Sequence, residues 1–329
     1  MLKRNLGNSG IECSVIALGT WVMGGWMWGG ADENESINAV HASIDAGINF
    51  IDTAPVYGFG DSEIVVGKAI KNRRDKVILA TKCGLVWEHS NGEFFFETTP
   101  KGVPEGKGEI KIFKNNSPQS IKLELEASLK RLQTDYIDLY QTHWQESKTP
   151  IEDTMAALLK LKDEGKIRAI GVSNASIEQM QTYGSIDTDQ EKFSMLVRKA
   201  EMEGNAEYCS ESNIALLAYS PLAQGLLTGK ITSSRKFNEG DVRKNNPLFS
   251  EESIIKINKM LNELIPLAEK HNANIGQLIL AWTFNRKGIT HLLCGARNIE
   301  QALDNAKAGD IILSREDIDQ INSVYNKYF

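Results

Sequence analysis

The chain has 329 residues, with 37 Lys and Arg against 43 Asp and Glu, a formal net charge of −6 and 41% hydrophobic residues. A chain of this length buries a large core without a disulfide or metal staple. Its mild acidity disfavours nucleic acid or an anionic membrane surface as a partner, since both call for a basic face. Cys13, Cys83, Cys209 and Cys294 lie far apart with no C-x-x-C pair. They read as thiols of a reducing compartment, neither a disulfide framework nor a zinc site. The opening MLKRNLGNSG has no apolar run behind its basic residues, and no stretch approaches the roughly 18 apolar residues of a membrane helix. A cytoplasmic location is expected.

In chain order, residues 1–14 precede the first strand and are expected to fold across the bottom of the structure. Val15 to Leu18 form a short apolar strand. A helix opens at Asp32 with Glu35 and closes at Gly47, and Ile48 to Ile51 form the second strand. Val77 to Ala80 is the third, followed by a long polar insertion over residues 86–116 with Phe94-Phe95-Phe96 in its middle. Ser117-Pro118 opens a helix whose Ile121, Leu125, Leu129 and Leu132 share one face. Tyr136 to Tyr140 is the fourth strand. Thr149-Pro150-Ile151-Glu152 reads as a capping box with Pro at the first helical position, and Gly165 as that helix's C′ residue. Ile167 to Val172 is the fifth strand, Glu191 to Met195 a weak sixth, Ile214 to Ala218 the seventh and His291 to Cys294 the eighth. A second long loop covers residues 225–250.

Apolar runs with little alternation suit parallel strands buried on both faces. Eight of them alternating with helices predict an α/β fold, a (β/α)8 TIM barrel formed as one domain over residues 1–329, with an N-terminal cap segment and long loops on its C-terminal face. A doubly wound open sheet would announce a dinucleotide with G-x-G-x-x-G after its first strand; here Gly19-Thr20-Trp21 follows instead.

Barrel active sites gather at the strands' C-terminal ends. Those ends carry Asp52, Lys82, His143 and Ser173-Asn174, and Tyr57 stands five residues past Asp52 in IDTAPVYGFGDSE. A free phenol, with a pKa of about 10, is a poor proton donor near neutrality. The sequence reading expects the Lys82 ammonium to lower that value, Asp52 to hold Lys82 charged, and His143 to orient a carbonyl.

Asp52, Tyr57, Lys82 and His143, in the contexts IDTAPVYG, ATK and YQTHW, resemble the catalytic tetrad of the aldo-keto reductases. The resemblance continues in ALGTW at 17–21, GKIRAIGVSN at 165–174, LLAYSPLAQGLLTGK at 216–230 and CGARNIEQALDN at 294–305, and is strongest to the bacterial general-stress, YhdN-like branch. It implies an enzyme reducing a small-molecule carbonyl with NADPH (NADP as product), the coenzyme lying across the barrel mouth beside Gly19, Thr20, Trp21 and Asp52. Ser173, Asn174 and Gln190 would hold its carboxamide and Tyr219 would stack on the nicotinamide. Ser220, Pro221, Leu222 and the segment from Gln224 and Gly225 to Lys230 would cover the pyrophosphate. Gly295, Ala296, Arg297, Gln301, Asp304 and Asn305 would hold the adenosine end, with Arg297 matched to a 2′-phosphate. One departure stands out: the family usually has Tyr-Asn after the sixth-strand glutamine, where this chain has Phe193 and Ser194.

Trp21, Trp26, Trp28, Trp87 and Trp144 fall in or beside C-terminal loops and suggest an apolar substrate pocket. Two other readings fit a strand-end lysine and a nicotinamide site: a Schiff-base lyase acting through Lys82, and a nicotinamide-binding regulatory module with little turnover. The sequence leaves the oligomeric state open.

Overall fold

The computed structural model describes residues 1–104 and 107–329. The chain begins with an antiparallel hairpin, β1 (Lys3–Asn5) and β2 (Glu12–Ser14). Three barrel strands follow, β3 (Ile16–Gly19), β4 (Phe50–Asp52) and β5 (Ile78–Cys83). The insertion contributes β6 (Leu85–Val86), β7 (Glu93–Thr98) and β8 (Ile110–Lys114). The barrel resumes with β9 (Ile137–Thr142), β10 (Ile167–Ser173), β11 (Thr188–Lys192), β12 (Ala215–Tyr219) and β13 (Ile289–Gly295). Its eight strands are all parallel, and β13 closes back onto β3. The predicted (β/α)8 TIM barrel is the observed fold.

The hairpin explains how the barrel's lower end is closed. Leu6, Ile11 and Cys13 join inward-facing Ala17, Phe50, Ala80, Leu139, Ala169 and Leu217 in one apolar cluster. The predicted cap therefore plugs the barrel bottom, where Cys13 Sγ meets the buried His291 ring at 3.2 Å. The helices cover the outer wall, and their starts follow the local sequence. Asp32 accepts the Glu35 amide at 2.8 Å, and Ser117 caps the helix Pro118–Leu132. Ile121, Leu125 and Leu132 on that helix are buried, and Leu129 packs against the same core from its edge.

Two sequence expectations are corrected. The helix Ile151–Asp163 has Pro150 at its N-cap, and no capping box forms. The Thr149 amide instead donates to the Glu146 carboxylate, which takes over the role expected of the Glu152 carboxylate. The sixth strand is Thr188–Lys192 rather than residues 191–195. Its buried positions are polar: Thr188 and Gln190 point into a hydrogen-bonded layer inside the barrel. The apolar Phe193 and Met195 that suggested a strand lie in an irregular turn bridged between Ser194 and Val197.

The 86–116 insertion is not a bare loop: β6, β8 and β7 form a small antiparallel sheet. Phe95 packs on Trp144 at 5.1 Å and Phe96 on Trp26 at 6.3 Å. The second long loop joins it through the backbone. Val242 donates to the Met27 carbonyl at 3.0 Å, and Met27 to that of Lys101 at 3.2 Å. Both insertions thus brace the glycine-rich segment 24–30 over the C-terminal mouth. Among the described residues no helix is long and apolar enough to cross a membrane.

Candidate active site

Asp52 ends β4 and Lys82 lies one residue from the end of β5, so the parallel pairing of these strands brings the two together. Lys82 is fully buried; its Nζ donates to Asp52 Oδ1 at 2.6 Å and to the Thr53 carbonyl at 2.9 Å. The same ammonium lies 3.4 Å from Tyr57 Oη. His143, one residue beyond β9, packs edge-on to the Tyr57 ring at 5.7 Å. The four residues read from scattered strand ends form one cluster.

Its electrostatics differ from the sequence expectation. Burial holds the Lys82 ammonium below the usual lysine range, against the opposing pull of Asp52. His143 is kept well below the ordinary imidazole value by burial and then by Lys82, so it is neutral at physiological pH. The Tyr57 phenol was expected to be lowered; it is raised, first by burial and then by the Asp52 charge. Desolvation of the phenolate outweighs the ammonium at 3.4 Å. The phenol is therefore protonated at neutral pH.

Tyr57 is held by close backbone packing. Gly58 adopts φ +68, and a Cβ there would lie 2.3 Å from the Gly24 carbonyl oxygen. A Cβ on Gly24 would likewise come within 2.4 Å of the Tyr57 carbonyl oxygen. Trp21 stacks on the phenol ring at 6.0 Å. Gly58→Ala is expected to push the Tyr57 loop off Gly24 and reduce turnover about tenfold or more, since a displacement near 1 Å at a reacting group has that scale of effect. Steady-state rates together with a crystal structure of the variant check this; an unmoved Tyr57 with full turnover would count against it.

A cavity of about 380 Å³ runs from this cluster across the barrel mouth. At its inner end it is lined by Gly19, Trp21, Asp52, Tyr57, Gln190 and Tyr219. Ser220, Pro221, Leu222, Gln224, Gly225 and Lys230 form its middle, and Gly295, Arg297, Gln301, Asp304 and Asn305 its far end. Four residues expected at the coenzyme do not line it. Thr20 is buried and donates to the Asp52 carbonyl, and Ala296 is buried in the core. Ser173 donates to the Gln190 carbonyl, while Asn174 accepts from Tyr219 Oη at 2.9 Å. Phe193 is buried and Ser194 accepts from the amides of Leu196 and Val197, so both are spent on the irregular turn.

The sequence reading missed Arg235 and Arg243, which also line the far end. Arg243 forms a bidentate pair with Asp241, and its guanidinium lies 5.0 Å from the Trp28 ring centroid. Arg297 lies 5.6 Å from the same ring and donates to the Trp28 carbonyl at 2.8 Å. Loop arginines far from any strand carry no period that would have marked them. The cavity therefore has a flat aromatic, amide-bearing inner end and a cationic outer end. This suits the chemistry of a nicotinamide dinucleotide.

The aldo/keto reductase family profile matches residues 15–326. The chain belongs to the aldo/keto reductase family. It is 40% identical over 326 residues to aldo-keto reductase YhdN of Bacillus subtilis, covering 97% of this chain and 92% of the relative. It is 41% identical to the NADH-specific methylglyoxal reductase of Escherichia coli, covering 96% of each. The structure of a glycerol dehydrogenase from Gluconobacter oxydans superimposes with a TM-score of 0.84 at 36% identity, covering 97% of this chain and 93% of that one. An aldo/keto reductase of Klebsiella pneumoniae, solved with NADP and acetate, has a TM-score of 0.71 at 28% identity, covering 99% and 96%. As an aldo/keto reductase the chain is an oxidoreductase on a fold that binds a nicotinamide coenzyme, and its likeness is to the bacterial branch anticipated from the sequence.

Proposed function

We propose that this aldo/keto reductase converts small aldehydes and ketones to alcohols with NADPH, Tyr57 acting as the general acid. The observation that carries the reading is the meeting of Tyr57, Lys82, Asp52 and His143 within one buried cluster, Lys82 Nζ lying 2.6 Å from Asp52 and 3.4 Å from Tyr57. The overall change is C=O + NADPH + H⁺ to CH–OH + NADP⁺. When bound, the coenzyme supplies the hydride that adds to the carbonyl carbon. The residues do the rest. Neutral His143 donates to the carbonyl oxygen and fixes its angle. Tyr57 passes its proton to that oxygen as negative charge develops, and the Lys82 ammonium stabilises the phenolate left behind. Asp52 holds the ammonium in place.

Gln190 would hold the carboxamide and Tyr219 the nicotinamide face, with Ser173 and Asn174 bracing those two residues from behind the cavity wall. Ser220 to Leu222 and the segment from Gln224 to Lys230 would cover the pyrophosphate. Arg297, with Arg235 and Arg243 nearby, supports NADPH over NADH; one relative is named as NADH-specific, so the phosphate end decides this chain's preference. Tyr57 packs on the same apolar cluster as Trp21, Trp87, Trp144, Phe59 and Phe95, which favours compact apolar carbonyls. Lys82 is poorly placed for a Schiff base: its nitrogen is a charged donor already engaged by Asp52 and Thr53.

The test is initial-rate oxidation of NADPH against a panel of short aldehydes, with borohydride trapping run beside it. Turnover without a trapped lysine is expected. No turnover on any carbonyl, or substrate captured on Lys82, would overturn the assignment.

The pH profile gives a further check. His143 already sits well below the ordinary imidazole range, so reduction should stay level through pH 6.5. Loss of the Lys82 proton, below lysine's ordinary 10.5, should bring the alkaline fall. An inflection in kcat near 6.5 would mean that a charged imidazolium takes part.

A further inference from the structure

Asp52 presents two carboxylate oxygens, and only Oδ1 meets Lys82. Oδ2 accepts from Gln190 Nε2 at 3.0 Å and from Gln141 Nε2 at 3.3 Å. Gln141 lies on β9 directly opposite Lys82 in the strand register and is completely buried. Its Oε1 in turn accepts from Thr188 Oγ1 at 3.4 Å, on β11. A polar chain thus spans the barrel just beneath the catalytic cluster, above an apolar layer that includes Ala80, Leu139 and Ala169. Buried amides are costly unless bonded, so such a layer calls for a reason.

The fold also makes room for it. β10 places Gly171 at this level, where a Cβ would lie 2.2 Å from Thr188 Oγ1 and 2.8 Å from Gln141 Cγ. A side chain at position 171 would force Thr188 or Gln141 to shift.

We propose that Gln141 is a positioning residue of the reductase reaction, seating the Asp52 carboxylate so that its free edge faces Lys82. The inference rests on the assignment of Tyr57 and Lys82 made above. Unlike Gln190, Gln141 does not line the coenzyme cavity; it reaches the catalytic cluster through Asp52, with Gln190 Nε2 meeting its Oε1 at 3.5 Å beside that contact. The charged and titratable groups around Lys82 are Asp52 and Tyr57 from β4 and its loop, Glu63 from the helix Asp61–Ile70, and His143 beyond β9. Glu63 is spent on Thr81 at 2.6 Å and Arg131 at 2.6 Å, which among the described residues leaves Asp52 as the one carboxylate in contact with the ammonium. A small rotation of Asp52 therefore reaches Lys82 directly.

Gln141→Met keeps the side chain's length and removes its donor. With wild type turning over carbonyls, the variant is expected to lose about tenfold in kcat and to show its alkaline limb about one pH unit lower, the change that weakening one buried charge-assisted hydrogen bond produces. NADPH affinity, read by fluorescence titration, should stay within about threefold. Thr188→Val, which releases Gln141 Oε1, should move the limb the same way by less, and decides the matter if Gln141→Met does not fold. A folded variant whose kcat–pH profile overlays wild type overturns the role of Gln141 while leaving the Tyr57 assignment intact. If neither variant folds, Gln141 is structural and the inference fails. A wild-type enzyme inert to all carbonyls removes the assignment itself, and this inference with it.

Discussion

Tyr57→Phe is expected to cut NADPH-dependent carbonyl reduction by about 10²–10⁴-fold, the contribution of a positioned proton donor. Only the hydroxyl is removed. The ring keeps its stacking on Trp21 at 6.0 Å and its edge contact with His143 at 5.7 Å, so the loop and the cavity stay in place. Coenzyme affinity should accordingly be unchanged, and the loss should appear in kcat and kcat/KM together, the signature of an interaction made only in the transition state. Stopped-flow reduction under single-turnover conditions separates this from slow coenzyme release. A variant with full chemical rate would leave the proton to another group and remove Tyr57 from its role.

Arg297→Ala carries the second large effect. Among the described residues Arg297 forms no ion pair, although it is half-buried, and its guanidinium is pushed below the usual arginine range by burial and then by Arg243. Arg243, in contrast, is matched by Asp241 in a bidentate pair. The Asp241 charge opposes the lowering at Arg297 without pairing directly with it and is taken up by Arg243, so an incoming anion is favoured at that position. A bound 2′-phosphate would supply one, with bidentate geometry available to the fork. The substitution should weaken NADPH binding about 10- to 100-fold, the scale of one or two hydrogen bonds to charged groups, and NADH binding less than about threefold. Equilibrium titration of both coenzymes checks it. Equal losses would show that Arg297 serves the adenosine rather than the phosphate, and would align this chain with the NADH-specific relative.

How much of this was readable beforehand follows from where each signal resides. Seven barrel strands stand out as short apolar runs because parallel strands are buried on both faces and need no alternation. Asp52, Lys82 and His143 were legible because parallel topology sends every strand's C-terminal end to one rim, so polar residues ending apolar runs must converge there. β11 was misplaced for the converse reason. Its inward Thr188 and Gln190 are polar, paid for by partners on β4 and β9 that no local window contains. The expected capping box at Thr149 failed similarly, since Glu146 from the preceding loop satisfies the amide first.

The alternation of barrel strands and helices and the rim position of Asp52, Lys82 and His143 were determined by the sequence alone. These depend on periodicity and side-chain chemistry, which are local. The protonation of Tyr57 was decided only in three dimensions, because desolvation is set by everything packed around the phenol and exceeds the pull of a single ammonium. The same holds for the cationic end formed by Arg235, Arg243 and Arg297 and for the amide layer beneath Asp52. Each joins residues from distant segments, and only the closed barrel with its braced loops brings them together.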